Sequence, residues 1–307
     1  MQIHRDINQL PAFRNAVITI GTFDGVHLGH RQIIDSLKQE AAKANGESVI
    51  ITFHPHPRKV VSSVITGVRL INTLQERIEL LERTGIDHLV IVPFTEYFAN
   101  QTAEEYIRDF LVAKFKPHTI IIGYDHRFGK ERAGDYKMME EKAHVYKYQL
   151  KEISEHILDA IKVSSTHIRN AILHSNVEEA NHLLGYTFFF EGEVIHGDKI
   201  GRELGYPTAN LKSTDEEKIA MGDGIYAVYA DVEDKQYKGM MSIGFRPTVN
   251  GRTRVTEVNL FDFNEQIYGK IMRVYVKKYL RSEVKFGGLE ELKQQLHRDK
   301  EESLKWL

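Results

Sequence analysis

No cysteine occurs among the 307 residues, so disulfides and thiolate metal sites are excluded. That absence suits a reducing cytosol without requiring one. There is no surplus of positive charge either: 41 lysines and arginines stand against 43 acidic residues, a formal net charge of −2. A nucleic-acid partner, which calls for a basic stripe, is not expected. Basic residues come only in short stretches such as Lys277-Lys278 and Arg281. Long apolar runs are missing, and those present, such as Ile120-Ile121-Ile122, fall far short of a bilayer span. The polar start, MQIHRDINQL, lacks the apolar segment of a secretory leader. The expectation is a cytoplasmic protein without a membrane partner. No long linker, internal repeat or low-complexity segment is found. Nor is there a Walker loop, since Gly129-Lys130 runs into Glu131 rather than Ser or Thr.

What is present is ordinary globular material, 42% hydrophobic and 27% charged. Its length predicts two domains, each large enough for its own core. Residues 16–20 are short, β-branched and apolar, and stop at Gly21. A helical pattern over 27–44 follows, with Ile33, Ile34 and Leu37 on one face. Residues 48–53, 88–92 and 119–122 read as further buried strands, the last stopping at Gly123. Thr73-Leu74-Gln75-Glu76 and Thr102-Ala103-Glu104-Glu105 are capping boxes that open helices expected to stop at Gly85 and before Pro117. Apolar strands separated by helices predict a parallel sheet covered on both faces. After Gly185 the pattern changes. Residues 188–195, 225–231, 237–243, 254–261 and 271–277 read as strands parted by turns such as Gly222-Asp223-Gly224 and Asn250-Gly251. That succession predicts an antiparallel β-barrel. Leu289, Leu292, Leu296 and Leu304 then predict one amphipathic helix packed on it. The boundary falls near 184–188, giving domains 1–185 and 186–307.

The densest chemistry of the first half is Gly21-Thr22-Phe23-Asp24-Gly25-Val26-His27-Leu28-Gly29-His30, where the first strand hands over to the first helix. Ligands of open α/β sheets bind beyond the carboxyl ends of the strands, and a helix start offers phosphate free amides and a positive dipole. Gly21, Gly25 and Gly29 let the backbone approach a ligand. His27 and His30, three apart, place two donors on one side of the first turn, suited to the α-phosphate of a nucleotide. A metal-binding His pair is the competing reading, without an acidic partner in the adjacent turn. Far downstream, Val163-Ser164-Ser165-Thr166-His167-Ile168-Arg169 sets three hydroxyls before a helix, with an arginine one turn on. The simplest reading is a serine N-cap. Three hydroxyls with an arginine also form a receptor for a β,γ-pyrophosphate leaving group.

The second cluster is Gly197-Asp198-Lys199-Ile200-Gly201-Arg202-Glu203-Leu204-Gly205-Tyr206-Pro207-Thr208-Ala209-Asn210. Glycines every four residues fit neither a Walker loop nor the dinucleotide fingerprint, and alone they read as a surface loop closed by a proline turn. Thr208 and Asn210 change that reading. Two apart in extended chain, they turn two oxygens to one side, a donor set that suits Mg²⁺, which takes few protein ligands and completes its shell with water and phosphate. Along 255–260, alternation puts Glu257 and Asn259 opposite Val258 and Leu260. That pattern alone assigns Glu257 to solvent.

His-x-Gly-His at 27–30 and Ser-Ser-Thr-x-Ile-Arg at 164–169 resemble the nucleotidylyltransferase superfamily. The longer string 21–30, with Thr52-Phe53-His54-Pro55-His56-Pro57 and Pro207-Thr208-Ala209-Asn210, is similar to the prokaryotic bifunctional riboflavin kinase/FAD synthetases over nearly the whole chain. The resemblance implies a Rossmann-like nucleotidylyltransferase domain followed by a riboflavin kinase-like barrel. It implies two reactions, phosphorylation of riboflavin to FMN and adenylylation of FMN to FAD with release of pyrophosphate, with ATP as co-substrate and Mg²⁺ as cofactor. ATP contacts are then expected at Gly21, Phe23, Asp24, Gly25, His27 and His30, at Ser164, Ser165, Thr166 and Arg169, and at Asp125. His54 and Pro55 are expected in a wall of the flavin or nucleotide pocket. The resemblance implies a flap containing Gly197 and Gly201 over a magnesium–nucleotide complex that Thr208 and Asn210 contact. It also implies Glu257 as the catalytic base and Arg281 near the flavin. Three positions depart from the family pattern: His126 replaces a usual Phe, His167 a frequent Arg, and Ser242 a common Asn. The rival readings are an enzyme with one vestigial half and a non-catalytic flavin sensor. Two complete site clusters argue against the first, and the Thr208, Asn210 and Glu257 set against the second. No protein partner follows from the sequence.

Overall fold

The computed structural model describes residues 1–61, 69–123, 125–197, 200–248 and 251–307, without the side chains at 155, 158–164, 200, 247, 248, 251 and 252. The chain forms two compact units, Met1–Ser165 and Thr166–Leu307.

The first unit carries six strands: β1 (Gln2–His4), β2 (Val17–Ile20), β3 (Ser48–His54), β4 (His88–Pro93), β5 (Thr119–Gly123) and β6 (Gln149–Ile153). All pair in parallel, in the order β1-β4-β3-β2-β5-β6. The four inner strands are the ones expected from the sequence, and their residues are buried nearly throughout. The two edge strands were not foreseen. β1 has three residues, and β6 reads Gln-Leu-Lys-Glu-Ile, polar because it is only half covered. From β2 the chain builds outward through β3 to β4, then returns to lay β5 and β6 on the other side of β2. The order therefore reverses at β2 and β5, and the carboxyl ends of these strands flank the crevice where doubly wound sheets bind ligands.

The helix after β2 is Leu28–Lys43, with His27 as its N-cap residue and Ile33, Ile34 and Leu37 buried. Both capping boxes form. Thr73 and Glu76 exchange side-chain-to-backbone hydrogen bonds at the start of Leu74–Glu82. Thr102 and Glu105 do the same at Ala103–Glu105. That second helix widens into a π-helical stretch, Tyr106–Val112, and ends at Lys116 in the left-handed region, just before Pro117.

The hydroxyls at 164–166 do not precede a helix; they lie well inside the helix Glu155–Leu173. Ile157, Ile161, Ile168 and Ile172 recur at helical spacing on both sides of the hydroxyl run. That periodicity outweighs the local turn preference of Ser and Thr.

The second unit is a closed six-strand barrel, β10-β11-β8-β7-β12-β9, antiparallel at its ladders. Its strands are β7 (Phe189–Ile195), β8 (Ala209–Ser213), β9 (Gly224–Val232), β10 (Lys235–Thr248), β11 (Gly251–Leu260) and β12 (Ile271–Arg281). Five were expected; β8 was concealed within the Thr208–Asn210 cluster. Asn250 of the expected Asn-Gly turn lies outside the described residues. The helix Val177–Leu184 packs on β12, where the Asn181 side chain accepts from Phe188 N at 2.6 Å and donates to Val276 O at 2.9 Å. The terminal helix, Leu289–Trp306, is present. Its buried positions are Asp299 and Ser303, while Leu289 and Leu304 are 59% and 44% exposed. The helix packs on the barrel as expected, with Leu292 and Leu296 half-buried, and an ion pair anchors it as well: Asp299 accepts from Arg281 Nε at 2.8 Å and Nη2 at 2.6 Å.

Candidate active sites

In the first unit, residues 21–30 pass from the end of β2 into the following helix, at the sheet's switch point. His27 and His30 are both buried, with ring centroids 3.9 Å apart and nearly parallel. The Phe23 ring lies 5.2 Å from His30. The His27 Nε2 is 2.8 Å from Ser165 Oγ, so two clusters 138 residues apart in sequence meet at one hydrogen bond. Thr166 and Arg169 follow on the same helix, beyond the division between the two units. The Ser164 side chain lies outside the described residues.

Asp24 is buried and its carboxylate accepts from Ile71 N at 3.2 Å and Asn72 N at 3.1 Å. It therefore anchors the loop to the segment before the next helix. Gly25, at φ 91°, adopts a conformation that favours glycine, and an added Cβ would sit tightly, 3.1 Å from Ile71 Cδ1. A Cβ at Gly21 would lie 3.0 Å from the Phe23 ring. His54 and Pro55 stand at the carboxyl end of β3, beside this loop's strand, with His54 exposed. Asp125 follows the end of β5. The neighbouring His126 stacks on Phe128 with centroids 5.7 Å apart. Burial pushes its imidazole down to about 4, so near pH 7 it packs as a neutral ring in place of a phenyl.

In the second unit four of the candidate residues, Asn210, Glu257, Ser242 and Arg281, share one transverse row of the barrel. Ladder pairing carries it from Asn210 to Glu257, to Ser242, to Ile225 and to Arg281. Glu257 and Arg281 stand three strand spacings apart, about 14 Å along the wall. Glu257 is not on a solvent face: its side chain is 13% exposed. Thr208 Oγ1 donates to its Oε1 at 3.1 Å, and Arg246 closes an ion pair on Oε2. Arg246 was missed in the sequence, where a lone basic residue reads as a solvated strand end. Four residues beyond Ser242 on β10, it shares the face of the residue that pairs with Glu257, which only the register of β10 against β11 reveals. Ser242 Oγ also lies 3.5 Å from Glu283 Oε1. Asn259 is buried and donates to Pro207 O at 2.7 Å, fixing the strand that delivers Thr208.

Gly197 and Gly201 lie in the segment ahead of β8. A Cβ at Gly197 would sit 2.1 Å from Asn210 Nδ2, and one at Gly201 would sit 2.4 Å from Tyr206 O. The first clash falls on a side chain that can yield, at the cost of moving the Asn210 amide. Gly197→Ala is therefore expected to leave thermal stability nearly unchanged while lowering turnover at this site about 10²-fold, the scale set by ångström misplacement of a reacting group. A calorimetric scan beside a saturating-substrate rate measurement checks both halves. Arg281 is engaged with Asp299 and with Ser282 O, so it ties the barrel to the terminal helix. A cavity of about 230 Å³ opens beside Pro207 and Asn259, with Tyr206, Phe261, Phe263 and Lys300 among its walls.

Residues 10–167 match the FAD synthetase family and residues 184–307 the riboflavin kinase family. The chain belongs to the bifunctional riboflavin kinase/FMN adenylyltransferases. One such protein, from Buchnera aphidicola subsp. Schizaphis graminum, is 36% identical over 304 residues, covering 97% of this chain and 96% of the relative. The Bacillus subtilis bifunctional riboflavin kinase/FMN adenylyltransferase is 36% identical over 95% of this chain and 92% of its own length. A crystal structure of a protein described as a macrolide-efflux protein, from Streptococcus pneumoniae, superposes with a TM-score of 0.86 at 30% identity, covering 100% of this chain and 99% of that one. Among the described residues, no helix is long and apolar enough to cross a membrane.

Proposed function

We propose that this chain phosphorylates riboflavin to FMN in its C-terminal domain, residues 186–307, and adenylylates FMN to FAD in its N-terminal domain, residues 1–185, using one ATP at each step. The observation that carries the reading is the convergence, in separate units, of two site clusters of different chemistry: stacked histidines against a serine, and a half-buried carboxylate beside hydroxyl and amide oxygens.

In the kinase step the ribityl 5′-hydroxyl attacks the γ-phosphorus of ATP, its proton passes to Glu257, and ADP leaves. Thr208 and Asn210 supply hard oxygens, and Glu257 is the carboxylate nearest them in the ladder. That donor set fits Mg²⁺, which prefers oxygen and relies on substrate phosphates rather than a protein cage. Thr208 and Asn210 would hold the ion, which when bound neutralises charge on the phosphates. The hydrogen bond from Thr208 to Glu257 must open as the nucleotide enters, freeing the base for the flavin hydroxyl. Arg246 keeps Glu257 oriented meanwhile. The cavity beside Pro207 takes the adenine, with aromatic walls for its faces. Riboflavin's ring system lies toward Arg281, along the row that runs through Glu257.

In the adenylyl step the FMN phosphate attacks the α-phosphorus of ATP and pyrophosphate leaves. The nucleophile is already anionic, so no general base is needed. His27 and His30 donate to the phosphoryl oxygens, and Ser165, Thr166 and Arg169 hold the departing pyrophosphate. Ser164 is assigned to the same nucleotide contacts. Gly21, Phe23, Asp24, Gly25 and Asp125 shape the nucleotide's seat; His54 and Pro55 form a wall for the flavin. Incubation of the purified chain with riboflavin and ATP, followed by chromatography, separates the readings. This proposal expects FMN and then FAD. FMN alone would mark a vestigial first unit, and neither product a flavin sensor.

A further inference from the structure

The loop at 22–26 is strained. Phe23 has φ 49°, Gly25 φ 91° and Val26 φ 36°, so three of four consecutive residues occupy the left-handed region. For a β-branched residue such as Val26 that conformation is a genuine outlier, and it persists only where the surroundings over-determine it. The stacked histidines follow at once, and His27 enters its helix with no capping bond from its own side chain. Whatever fixes this bend also fixes the two imidazoles.

Arg77 lies directly behind the bend. In sequence Glu76 closes the capping box and Arg77 is one more charged residue on that helix, yet the two residues are only 2% and 1% exposed. The helix that delivers Arg77 is locked at its start by the Thr73 capping box. Arg77 Nη1 donates to Thr22 O at 2.9 Å and to Thr52 Oγ1 at 3.3 Å, and Thr52 Oγ1 in turn donates to Thr22 O at 3.3 Å. A cation and a hydroxyl thus converge on the carbonyl that opens the strained loop. On the other flank Asp24 holds the backbone amides of Ile71 and Asn72. Burying a guanidinium is costly, and a plain packing role would be filled better by an apolar side chain of similar volume.

We propose that Arg77 is a positioning residue for adenylyl transfer, holding the carbonyl of Thr22 from beneath and so setting the bend that presents His27 and His30 to the nucleotide. The inference rests on the assignment of this loop to the FMN-to-FAD step. Thr52 completes the clamp. The role needs a donor rather than the guanidinium fork, so lysine, which keeps one donor and the charge, substitutes in part.

The test uses the full chain with Arg77→Met and Arg77→Lys, supplied with FMN and ATP. Initial rates are measured across ATP concentrations, well below each variant's unfolding midpoint, with near-UV circular dichroism reporting the folded state. Riboflavin phosphorylation by the same sample calibrates the active fraction of the other unit. Arg77→Met is expected to lower kcat for FAD formation by about 10–10²-fold, the scale of misplaced catalytic groups. Arg77→Lys should recover to within about fivefold of wild type, and FMN formation should be unchanged in both. A folded Arg77→Met making FAD within threefold of wild type would overturn the proposal, as would Arg77→Lys falling as far as Met. If Arg77→Met does not fold, the near-isosteric Thr52→Val decides. At least a threefold loss of kcat, with an unchanged circular dichroism spectrum, supports the clamp, and a wild-type rate overturns it. Failure of the wild-type chain to make FAD would instead reject the assignment of the loop.

Discussion

Glu257→Gln is expected to lower FMN formation by ~10²–10⁴-fold, the usual cost of removing a general base, while FAD formation from supplied FMN stays at the wild-type rate. The change keeps shape and removes the proton acceptor. Alternation along β11 left the residue on a solvent face, and from there the same substitution would alter stability by less than about half a kcal/mol and leave turnover alone. The barrel places it otherwise. The side chain is 13% exposed, with one oxygen taken by Thr208 and the other by Arg246. Its partners across the ladders are Asn210 and Ser242. Loss of the Arg246 ion pair will cost some stability, so the rate is to be read at saturating substrates on protein shown to be folded. Riboflavin and ATP binding should persist, because Thr208, Asn210 and the flap remain. A kinase rate within a few-fold of wild type would return Glu257 to a structural role.

His30→Ala produces the mirror image. FAD formation should fall ~10²–10³-fold, as when one preorganised donor is lost from a transition-state cradle, and FMN made by the other unit should accumulate. His30 stacks on His27 and abuts Phe23, so truncation also loosens the pair. The steady-state split separates the two effects. Loss of a transition-state contact lowers kcat and kcat/KM together, whereas a loosened seat for the nucleotide raises KM for ATP with kcat retained. Equal decline of FMN and FAD formation would show that His30 supports the protein generally.

The four inner strands were legible because a strand buried on both faces is apolar at nearly every position, as in Val17-Ile18-Thr19-Ile20. β6, half covered, carries Lys151 and Glu152 and offered no such signal. The capping boxes at Thr73 and Thr102 were legible because their reciprocal bonds need only local sequence. The hydroxyl run at 164–166 misled for the same reason: a local N-cap signal was read without the isoleucine periodicity around it. Charged residues account for most of the remainder. Arg77, Arg246 and Asp299 look solvated in sequence, yet each is enclosed or partly enclosed against a partner that only the tertiary fold supplies. Thr208, Asn210, His27 and His30 were legible because glycine, proline and short-range spacing mark them. Arg246 became visible only through the register that sets β10 against β11.

The central claim is that two ATP molecules are attacked at different phosphorus atoms by two different units. Riboflavin is to be incubated with the chain and ATP labelled at either the α- or the γ-phosphorus, and the FAD isolated and cleaved at its pyrophosphate into FMN and AMP. The account predicts γ-label recovered in FMN and α-label recovered in AMP. Glu257→Gln should abolish the first transfer from riboflavin, and His30→Ala should suppress the second. Absence of FAD, FAD carrying only one of the two labels, or loss of both transfers in either variant would contradict it.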